Sequence, residues 1–401
     1  MLEAQVEKWL SSYSDRGVPL AVVLPSGRRI APPAAARVEL RLNGAMALRH
    51  LFKPSLANLG SAYVEGLIDV DGTIEDVVQV AVDLARDSGA EFVDDDPGLL
   101  DRLLAHSRKR DRAAISYHYD VSNEFYQLFL DERMVYSCAY FRAASDTLEQ
   151  AQRNKLDHIL NKLRLKPGER FLDVGSGWGA LIVRAAQRGA QAVGVTLSDR
   201  QFEYARELIA RLGLADRCSV RLQDYRDIPA TESYDKIASV GMFEHVGHRN
   251  LPGYFSKMHD LLAPGGAMLM HGITATLPGR KAVGRGGGDF IDRYVFPDGE
   301  LPHVAFVLEC MAGARLEPVD VESLRRHYAL TLAAWARRFE AHAERARELA
   351  GDKRFRIWRV YLAGCAHGFA HNWMNIYQVL ACKLGRGNNP FPLTREWMYR
   401  E

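Results

Sequence analysis

The sequence predicts an α/β fold: a mostly parallel sheet with an antiparallel edge strand, preceded by a small α+β domain. From about residue 145 onwards, short apolar strands alternate with amphipathic helices, the pattern of repeated βα units with helices on both faces of a sheet. The first part of the chain reads differently. Two short strands surround Ser26-Gly27, Val38–Leu42 alternates like a third, and a helical pattern covers Ile74–Arg86.

A change of composition marks the expected domain boundary. The segment Glu91–Gly98 is acidic and contains Pro and Gly, and a basic run follows at residues 107–112. A chain of 401 residues is long enough for two domains. We therefore predict one domain over residues 1–100 and a second over 101–401.

The elements of the second domain are predicted in chain order. They are a strand at Arg170–Val174, a helix at Gly179–Arg188, a strand at Ala192–Thr196, a helix at Asp199–Leu212, strands at Ser219–Leu222 and Asp235–Val240, a helix at Asn250–Leu262 and a strand at Ala267–His271. The alternating run Ile376–Lys383 is predicted to be the closing antiparallel edge strand. The glycine-rich Gly279–Gly288 is predicted to be a flexible insertion.

The cysteines and the chain start indicate a soluble cytoplasmic protein. The five cysteines are scattered and form no CxxC pair, which is typical of free thiols in a reducing compartment. The first residues lack a basic-then-apolar leader pattern. No apolar run approaches the ~20 residues that span a bilayer.

Charge gives a weaker indication of partners. The net charge of +2 favours no particular partner, but residues 335–401 carry 12 Lys/Arg against 6 Asp/Glu. Lys353, Arg354, Arg356 and Arg359 form either a solvated helix face or a patch for anionic lipid, where each cation contributes about 1 kcal/mol. Nothing resembles a nucleic-acid recognition module, so no nucleic acid is expected.

A glycine-rich turn predicts the cofactor. The segment Phe171–Ala180 reads FLDVGSGWGA, a strand followed by a turn and a helix start, and ligands of parallel sheets bind at such strand ends. An NAD site is the alternative, since glycine loops alone are weak evidence. However, an acid, Asp173, precedes the first glycine, and the next strand ends at Val193–Ser198 without the acid that binds a ribose. The turn therefore favours S-adenosylmethionine.

Nine segments, in order, resemble cyclopropane-fatty-acyl-phospholipid synthases and their mycolic acid relatives. They are His118–Phe141, residues 173–179, Gly194–Gln201, Gln223–Asp227, Ser239–His248, Met270–Ile273, Tyr294–Pro302, His327–Trp335 and Tyr361–Ala366. Leu59–Gly72 resembles the sterol-carrier-like module that precedes the catalytic domain in bacterial members. The resemblance implies a Rossmann-like class I S-adenosylmethionine methyltransferase fold.

The resemblance also implies roles for particular residues. Contacts to S-adenosylmethionine are expected from Tyr136, Ser137, Phe171, Leu172, Asp173, Val174, Gly175, Ser176, Gly177, Trp178, Gly179, Thr196, Leu197, Ser198, Gln201, Tyr225 and Arg226. A bound bicarbonate is expected against the side chains of Glu244, His271 and Tyr328 and the backbone of Cys138 and Ile273. Cys365 matches a cysteine once proposed as a nucleophile in this family.

The implied activity is transfer of a methylene unit to cis double bonds of phospholipid acyl chains. The implied assembly is a homodimer associated peripherally with the inner face of the cell membrane. An enzyme that leaves a methyl branch or methylates a small-molecule amine remains an alternative, as does a non-catalytic lipid-binding protein.

Individual residues also have structural alternatives. Glu244 follows a strand and could cap the next helix. His271 and Tyr328, taken alone, read as core residues. Cys365 reads as an inert buried thiol.

Overall fold

The computed structural model describes residues 2–32, 35–44, 46–52, 54–86, 121–278, 287–296, 299–385 and 389–399. The predicted boundary segment, the basic run after it and most of the glycine-rich insertion lie outside these residues. The chain forms two compact units, one of residues 1–96, 282–297 and 332–373, the other of 97–281, 298–331 and 374–401. Two later segments thus belong with the first unit, which the predicted split near residue 100 does not anticipate.

The elements are numbered here along the chain. The helices are α1 Leu2–Ser14, α2 Ala47–Phe52, α3 Leu56–Val64, α4 Ile74–Ala85, α5 Asn123–Gln127, α6 Leu148–Lys162, α7 Ala180–Gln187, α8 Asp199–Arg211, α9 Leu251–Leu261, α10 Gly287–Tyr294, α11 Val304–Gly313, α12 Arg325–Ala341 and α13 Ala343–Ala370. The strands are β1 Leu20–Val23, β2 Arg29–Ile30, β3 Val38–Leu42, β4 Ile68–Asp71, β5 Arg170–Val174, β6 Gln191–Thr196, β7 Cys218–Leu222, β8 Tyr234–Val240, β9 Leu262–Ala275, β10 Leu316–Ser323 and β11 Met374–Lys383.

The first unit contains a small mixed sheet in the order β2-β1-β3-β4. β1 pairs with β2 in antiparallel fashion, as the turn at Ser26-Gly27 predicts, and runs parallel to β3. Apolar residues of α1, the sheet, α3 and α4 form one core. The predicted strand Val38–Leu42 and the helix after Thr73 are confirmed, and the Thr73 hydroxyl caps that helix by accepting from Asp76 N.

The second unit contains a sheet of seven described strands in the order β10-β11-β9-β8-β5-β6-β7. β9, β8, β5, β6 and β7 are parallel, and β11 is antiparallel to both of its neighbours. The mostly parallel sheet and the antiparallel direction of Ile376–Lys383 are therefore confirmed. The edge position is taken instead by β10, so the predicted strand is second from the edge.

Both faces of this sheet are buried, which explains why its strands read as continuous apolar runs. On β5, Phe171 packs into a core with α6 and α7, whereas Leu172 faces the other core with α9 and α11. The strand order reverses between β5 and β8, so the carboxyl ends of these two strands frame a crevice. Within the described ranges, no helix combines the length and apolar character needed to cross a bilayer.

Candidate active site

The glycine turn after β5 leads directly into α7. The main-chain N–H groups of Gly175 and Ser176 both donate to Val195 O, at 3.0 Å each, which ties the turn to β6. Gly175 has φ 82, and a Cβ there would lie 2.9 Å from the Met242 side chain. Gly179 has φ 90, and a Cβ there would lie 3.0 Å from Ala205. Only glycine allows both the left-handed backbone and this close packing.

A cleft of about 1160 Å³, part of it open to solvent, lies beside this turn. Most residues expected to contact the cofactor line it: Tyr136, Ser137, Asp173, Val174, Gly175, Ser176, Gly177, Trp178, Thr196, Leu197, Gln201, Tyr225 and Arg226. Phe171, Leu172, Gly179 and Ser198 are absent from the lining. Phe171 and Leu172 are fully buried and act as the rigid strand that carries the turn.

Two short networks fix the far side of the cleft. The Thr196 hydroxyl donates to Gln201 Oε1 at 2.9 Å, and Ser198 caps α8 by accepting from Gln201 N. The Arg226 guanidinium forms three hydrogen bonds with the Asp224 carboxylate, two through Nε at 2.9 and 3.1 Å and one through Nη2 at 2.6 Å. Gln201 and Arg226 are therefore held in place by contacts within the protein.

Aromatic side chains form the wall near α5. Tyr126 packs against Tyr136 and Trp178, with ring centroids 5.5 and 4.9 Å apart, and both of these rings line the cleft. Phe125 and Phe129 are fully buried behind them. Tyr140, farther along the chain, stacks instead between His158 and His327.

Glu244 lies on a short 3₁₀ helix, Phe243–His245, just after β8. Its Oε1 accepts from Ile273 N on β9 at 2.7 Å, which joins two of the predicted residues directly. Its Oε2 is buried and has no hydrogen-bond partner in the part of the chain that the structure describes. Burial raises the pKa of this carboxyl to about 7, although the Ile273 N–H opposes that rise. The helix-capping alternative is wrong, since the side chain caps no helix.

His271 is buried on β9, directly opposite Gln378 on β11. Its Nδ1 lies 3.2 Å from Gln378 Nε2, and an amide nitrogen can only donate, so Nδ1 accepts and Nε2 carries the proton. That Nε2 is buried and unpartnered among the described residues. Burial lowers the pKa of His271 well below its ordinary value, so the ring is neutral.

The start of α12 brings Tyr328 and the Cys138 segment together. Thr331 Oγ1, one helical turn after Tyr328, accepts from Ala139 N at 3.0 Å. The Cys138 thiol donates to Leu324 O at 3.8 Å, just before the helix. Tyr328 and Cys138 are both buried, and burial raises the pKa of the Cys138 thiol far above its usual range. Cys138 therefore contributes no thiolate.

Cys365 belongs to the other unit, on α13. It is buried, and burial raises the pKa of its thiol to about 12. A thiol with that pKa is not ionised near neutral pH, so it is a poor nucleophile. The structure supports the inert alternative for this residue.

Comparison with known proteins decides the family. A family model described as "Mycolic acid cyclopropane synthetase" matches residues 106–379. The chain belongs to this family. A second model, described only as a domain of unknown function, matches residues 19–90.

Individual relatives agree with the assignment. A "Probable fatty acid methyltransferase" of Pseudomonas putida is 45% identical over 96% of this chain and 97% of its own length. A "Tuberculostearic acid methyltransferase UfaA1" of Mycobacterium tuberculosis is 34% identical over 90% of this chain and 87% of its own. The solved structure of the mycolic acid cyclopropane synthase CmaA1, with SAH and CTAB, is 34% identical, covers 68% of this chain and 98% of its own, and has a TM-score of 0.63.

Membership makes this chain an S-adenosylmethionine-dependent methyltransferase of the cyclopropane synthase and fatty acid methyltransferase family. The cleft fits that cofactor: left-handed glycines leave room at the turn, and buried Asp173 Oδ1 has no partner among the described residues. An amino group of the cofactor is a suitable donor to that oxygen.

Several lining residues were not singled out in the sequence. They include Met134, Lys155, Gln223, Asp224, Met242 and His245. A signal existed for Lys155, because it lies on the buried stripe of α6 together with Ala151, Leu156 and Ile159. A lysine at helical spacing with buried apolar residues is rarely buried without a partner, so it indicates a function.

Proposed function

We propose that this protein transfers a methylene unit from S-adenosylmethionine to cis double bonds of phospholipid acyl chains, forming a cyclopropane ring. The observation that carries the proposal is the pair of buried, unpartnered polar atoms Glu244 Oε2 and His271 Nε2. Glu244 lies between Met242 and His245, which line the cofactor cleft, and His271 pairs across the sheet with Val240, which also lines it. Buried polar atoms in native structures normally have partners. One acceptor and one donor that lack them suit a small bound oxyanion.

The first chemical step sets the demands on the site. When bound, S-adenosylmethionine supplies an electrophilic methyl carbon; the alkene π pair forms the new C–C bond while the S–CH₃ bonding pair returns to sulfur. An isolated alkene is a weak nucleophile, so holding the two in line is essential and contributes roughly 7–11 kcal/mol. The buried rings of Tyr126 and its neighbours exclude water and stabilise the positive charge left on the chain.

The second step needs a base. One C–H bond of the new methyl group breaks, its electron pair closes the ring onto the cationic carbon, and the proton leaves. When bound, bicarbonate supplies the acceptor for that proton. Glu244 Oε2 accepts from its hydroxyl, and His271 Nε2–H and the Tyr328 hydroxyl donate to its oxygens. A Glu244 pKa of about 7 allows the cluster to share a proton near neutral pH.

Product analysis tests the proposal. The protein is incubated with S-adenosylmethionine and vesicles of cis-unsaturated phospholipid, in CO₂-free buffer and in the same buffer with added bicarbonate. The expected product gains one methylene unit, keeps no double bond and shows upfield cyclopropane ring protons by NMR, and its rate rises with bicarbonate. A rate independent of bicarbonate overturns the bicarbonate role.

A second candidate is supported by the relatives' names. One of them is called a probable fatty acid methyltransferase and another a tuberculostearic acid methyltransferase. In the same assay, a methyl-branched or methylene-branched chain supports this candidate over cyclopropanation. No transfer to any acyl chain supports a non-catalytic lipid-binding protein.

Homodimer formation and peripheral membrane association are carried over from the family resemblance. The basic face of α13 gives them little support, because Arg356 pairs with Asp69 and Asp352, and Arg359 pairs with Glu340. Sedimentation of the protein with anionic and neutral vesicles tests the association, and analytical ultracentrifugation tests the dimer. Equal, negligible sedimentation with both vesicles rejects the surface interaction.

A further inference from the structure

Lys155 is a buried cation at the wall of the cofactor cleft. It lies on α6, is 2% exposed, and lines the cleft together with Ser137 and Asp173. Its Nζ donates to the Ser137 hydroxyl at 2.8 Å. Burial lowers the pKa of this amine to about 8, which still leaves it an ammonium ion at neutral pH.

The charge of Lys155 is incompletely matched within the protein. Among the described residues, Ser137 Oγ is its hydrogen-bond partner and no carboxylate lies within ion-pair distance. Asp131 is nearby, but its two oxygens accept from the N–H groups of Val135 and Arg133. A buried ammonium ion is stable only when anions or several acceptors surround it, so a ligand anion is the natural partner.

The position of Lys155 identifies that anion. Gln201 follows β6, the strand whose carboxyl end holds the ribose in nucleotide-binding sheets of this kind, and Tyr225 and Arg226 follow the next strand, β7. This leaves the Ser137 end of the cleft for the amino-acid part of the cofactor. That part is a zwitterion with one carboxylate and one ammonium group. Asp173, whose Oδ1 has no partner within the described ranges, offers an acceptor for the ammonium group.

We propose that Lys155, together with Ser137, binds the α-carboxylate of S-adenosylmethionine, opposite Asp173 at the α-ammonium group. The inference rests on the methyltransferase class of the chain and not on the cyclopropane product. One face of α6 then has two roles at the Ser137 segment. Gln152, one turn before Lys155, donates to Ser137 O at 2.9 Å. Gln152 holds the segment in place, and Lys155 supplies its charge.

Binding calorimetry tells whether Lys155 binds the ligand's carboxylate through its charge or only holds the Ser137 segment in place. S-adenosylhomocysteine is compared with its neutral carboxamide and with its decarboxylated analogue, in the wild type, Lys155→Met and Gln152→Met. The wild type is expected to bind S-adenosylhomocysteine at least about tenfold more tightly than either analogue, as for a charge-assisted hydrogen bond. Lys155→Met is expected to lose that preference while binding the decarboxylated analogue as the wild type does.

The control variant Gln152→Met is expected to weaken all three ligands by a similar factor, because it disturbs the segment without removing a charge. The proposal is overturned if Lys155→Met weakens all three ligands equally or none of them. Should that variant fail to fold in thermal melts, the wild-type measurement decides alone: equal affinity for S-adenosylhomocysteine and its carboxamide overturns the proposal. Neither lipid nor bicarbonate is present, so the outcome is independent of the proposed reaction.

Discussion

Glu244 Oε1 accepts a hydrogen bond from the main-chain N–H of Ile273, with 2.7 Å between the two atoms. The contact joins the 3₁₀ helix after β8 to β9 and assigns different tasks to the two carboxylate oxygens. Oε1 is held by the backbone, and Oε2, buried without a partner among the described residues, is available to a ligand. The same residue therefore yields a catalytic and a thermodynamic prediction.

Glu244→Gln is expected to fold and to lower the rate of product formation by at least about a hundredfold, the usual range for losing a group in proton transfer. The amide oxygen keeps the Ile273 contact, but an NH₂ group replaces the second acceptor. Rates with phospholipid vesicles measure the effect, and the exposed Glu203→Gln on α8 is the matched control. Unimpaired turnover in the Glu244 variant contradicts the role we assign.

The pH dependence of stability tests the burial of Glu244 without reference to catalysis. Burial raises the pKa of this carboxyl from 4.5 to about 7 in the folded protein. Between these values the folded state holds a proton that the unfolded state has lost, so raising the pH destabilises the fold. Above pH ~7, ionisation of the buried carboxyl lowers the free energy of unfolding by about 3 kcal/mol in full. Glu244→Gln is therefore expected to have a higher melting temperature than the wild type at pH 8 but not at pH 5. Thermal melts at these two pH values measure the difference.

Most of the β-strands at the site can be predicted from the sequence, because they are buried on both faces and apolar throughout. β10 does not, since Leu316–Ser323 alternates exposed and buried residues and contains Pro318, beside a register shift. Proline is tolerated there because an edge strand has one unpaired side. The grouping of 332–373 with the first unit depends on contacts distant in sequence, which periodicity does not encode.

The site residues divide along similar lines. The glycine turn can be predicted from the sequence because its backbone geometry requires glycine at set spacings. The role of Gln378 cannot be predicted in this way, because its partner His271 lies 107 residues away and comes opposite it only through the pairing of β9 with β11. Lys155 is intermediate: its helical spacing with apolar residues was visible, but the anion that it binds depends on the Ser137 segment.

Gln378→Leu is expected to reduce turnover about tenfold while leaving S-adenosylhomocysteine affinity unchanged. The amide of Gln378 donates to His271 Nδ1 and so keeps the proton on Nε2; leucine removes that donor and leaves both tautomers accessible. Nitrogen-15 NMR of the histidine side chains, with His271→Asn to assign the signal, measures the tautomer. A wild-type tautomer in Gln378→Leu contradicts the orienting role.

Lys162 is a buried cation that does have its anions. Its Nζ lies 2.9 Å from Asp320 and 2.6 Å from Glu322. Burial acts to raise the pKa of Glu322, but the His158 hydrogen bond and the Lys162 charge outweigh it and lower the pKa to about 2. This stabilisation is full above the unfolded pKa near 4.5 and is lost as the pH falls towards 2.

Lys162→Met is therefore expected to lower the free energy of unfolding by about 3 kcal/mol at pH 7, because it leaves the buried Asp320 paired with the exposed Arg395 and the partly buried Glu322 paired with His158, without the central cation. Urea denaturation measures the change. The surface pair Arg217–Asp216 is the control, and Arg217→Ala is expected to have almost no effect. A loss below about 1 kcal/mol for Lys162→Met would show that solvent reaches the cluster.

Gly272→Ala tests how closely the Glu244 site is packed. A Cβ at Gly272 would overlap the Phe243 ring and lie 3.1 Å from Glu244 Oε1, so the methyl group must displace the 3₁₀ helix that carries both side chains. Overpacking of this kind costs about 1–3 kcal/mol, and the displaced carboxylate is expected to lower turnover more than cofactor affinity. Gly253→Ala on α9 is the matched control, because a Cβ there meets nothing within 4 Å and alanine favours a helix. Equal turnover and equal thermal stability of the two variants would mean that Phe243 moves aside without shifting Glu244. The close packing at Gly272 would then have no part in positioning the carboxylate.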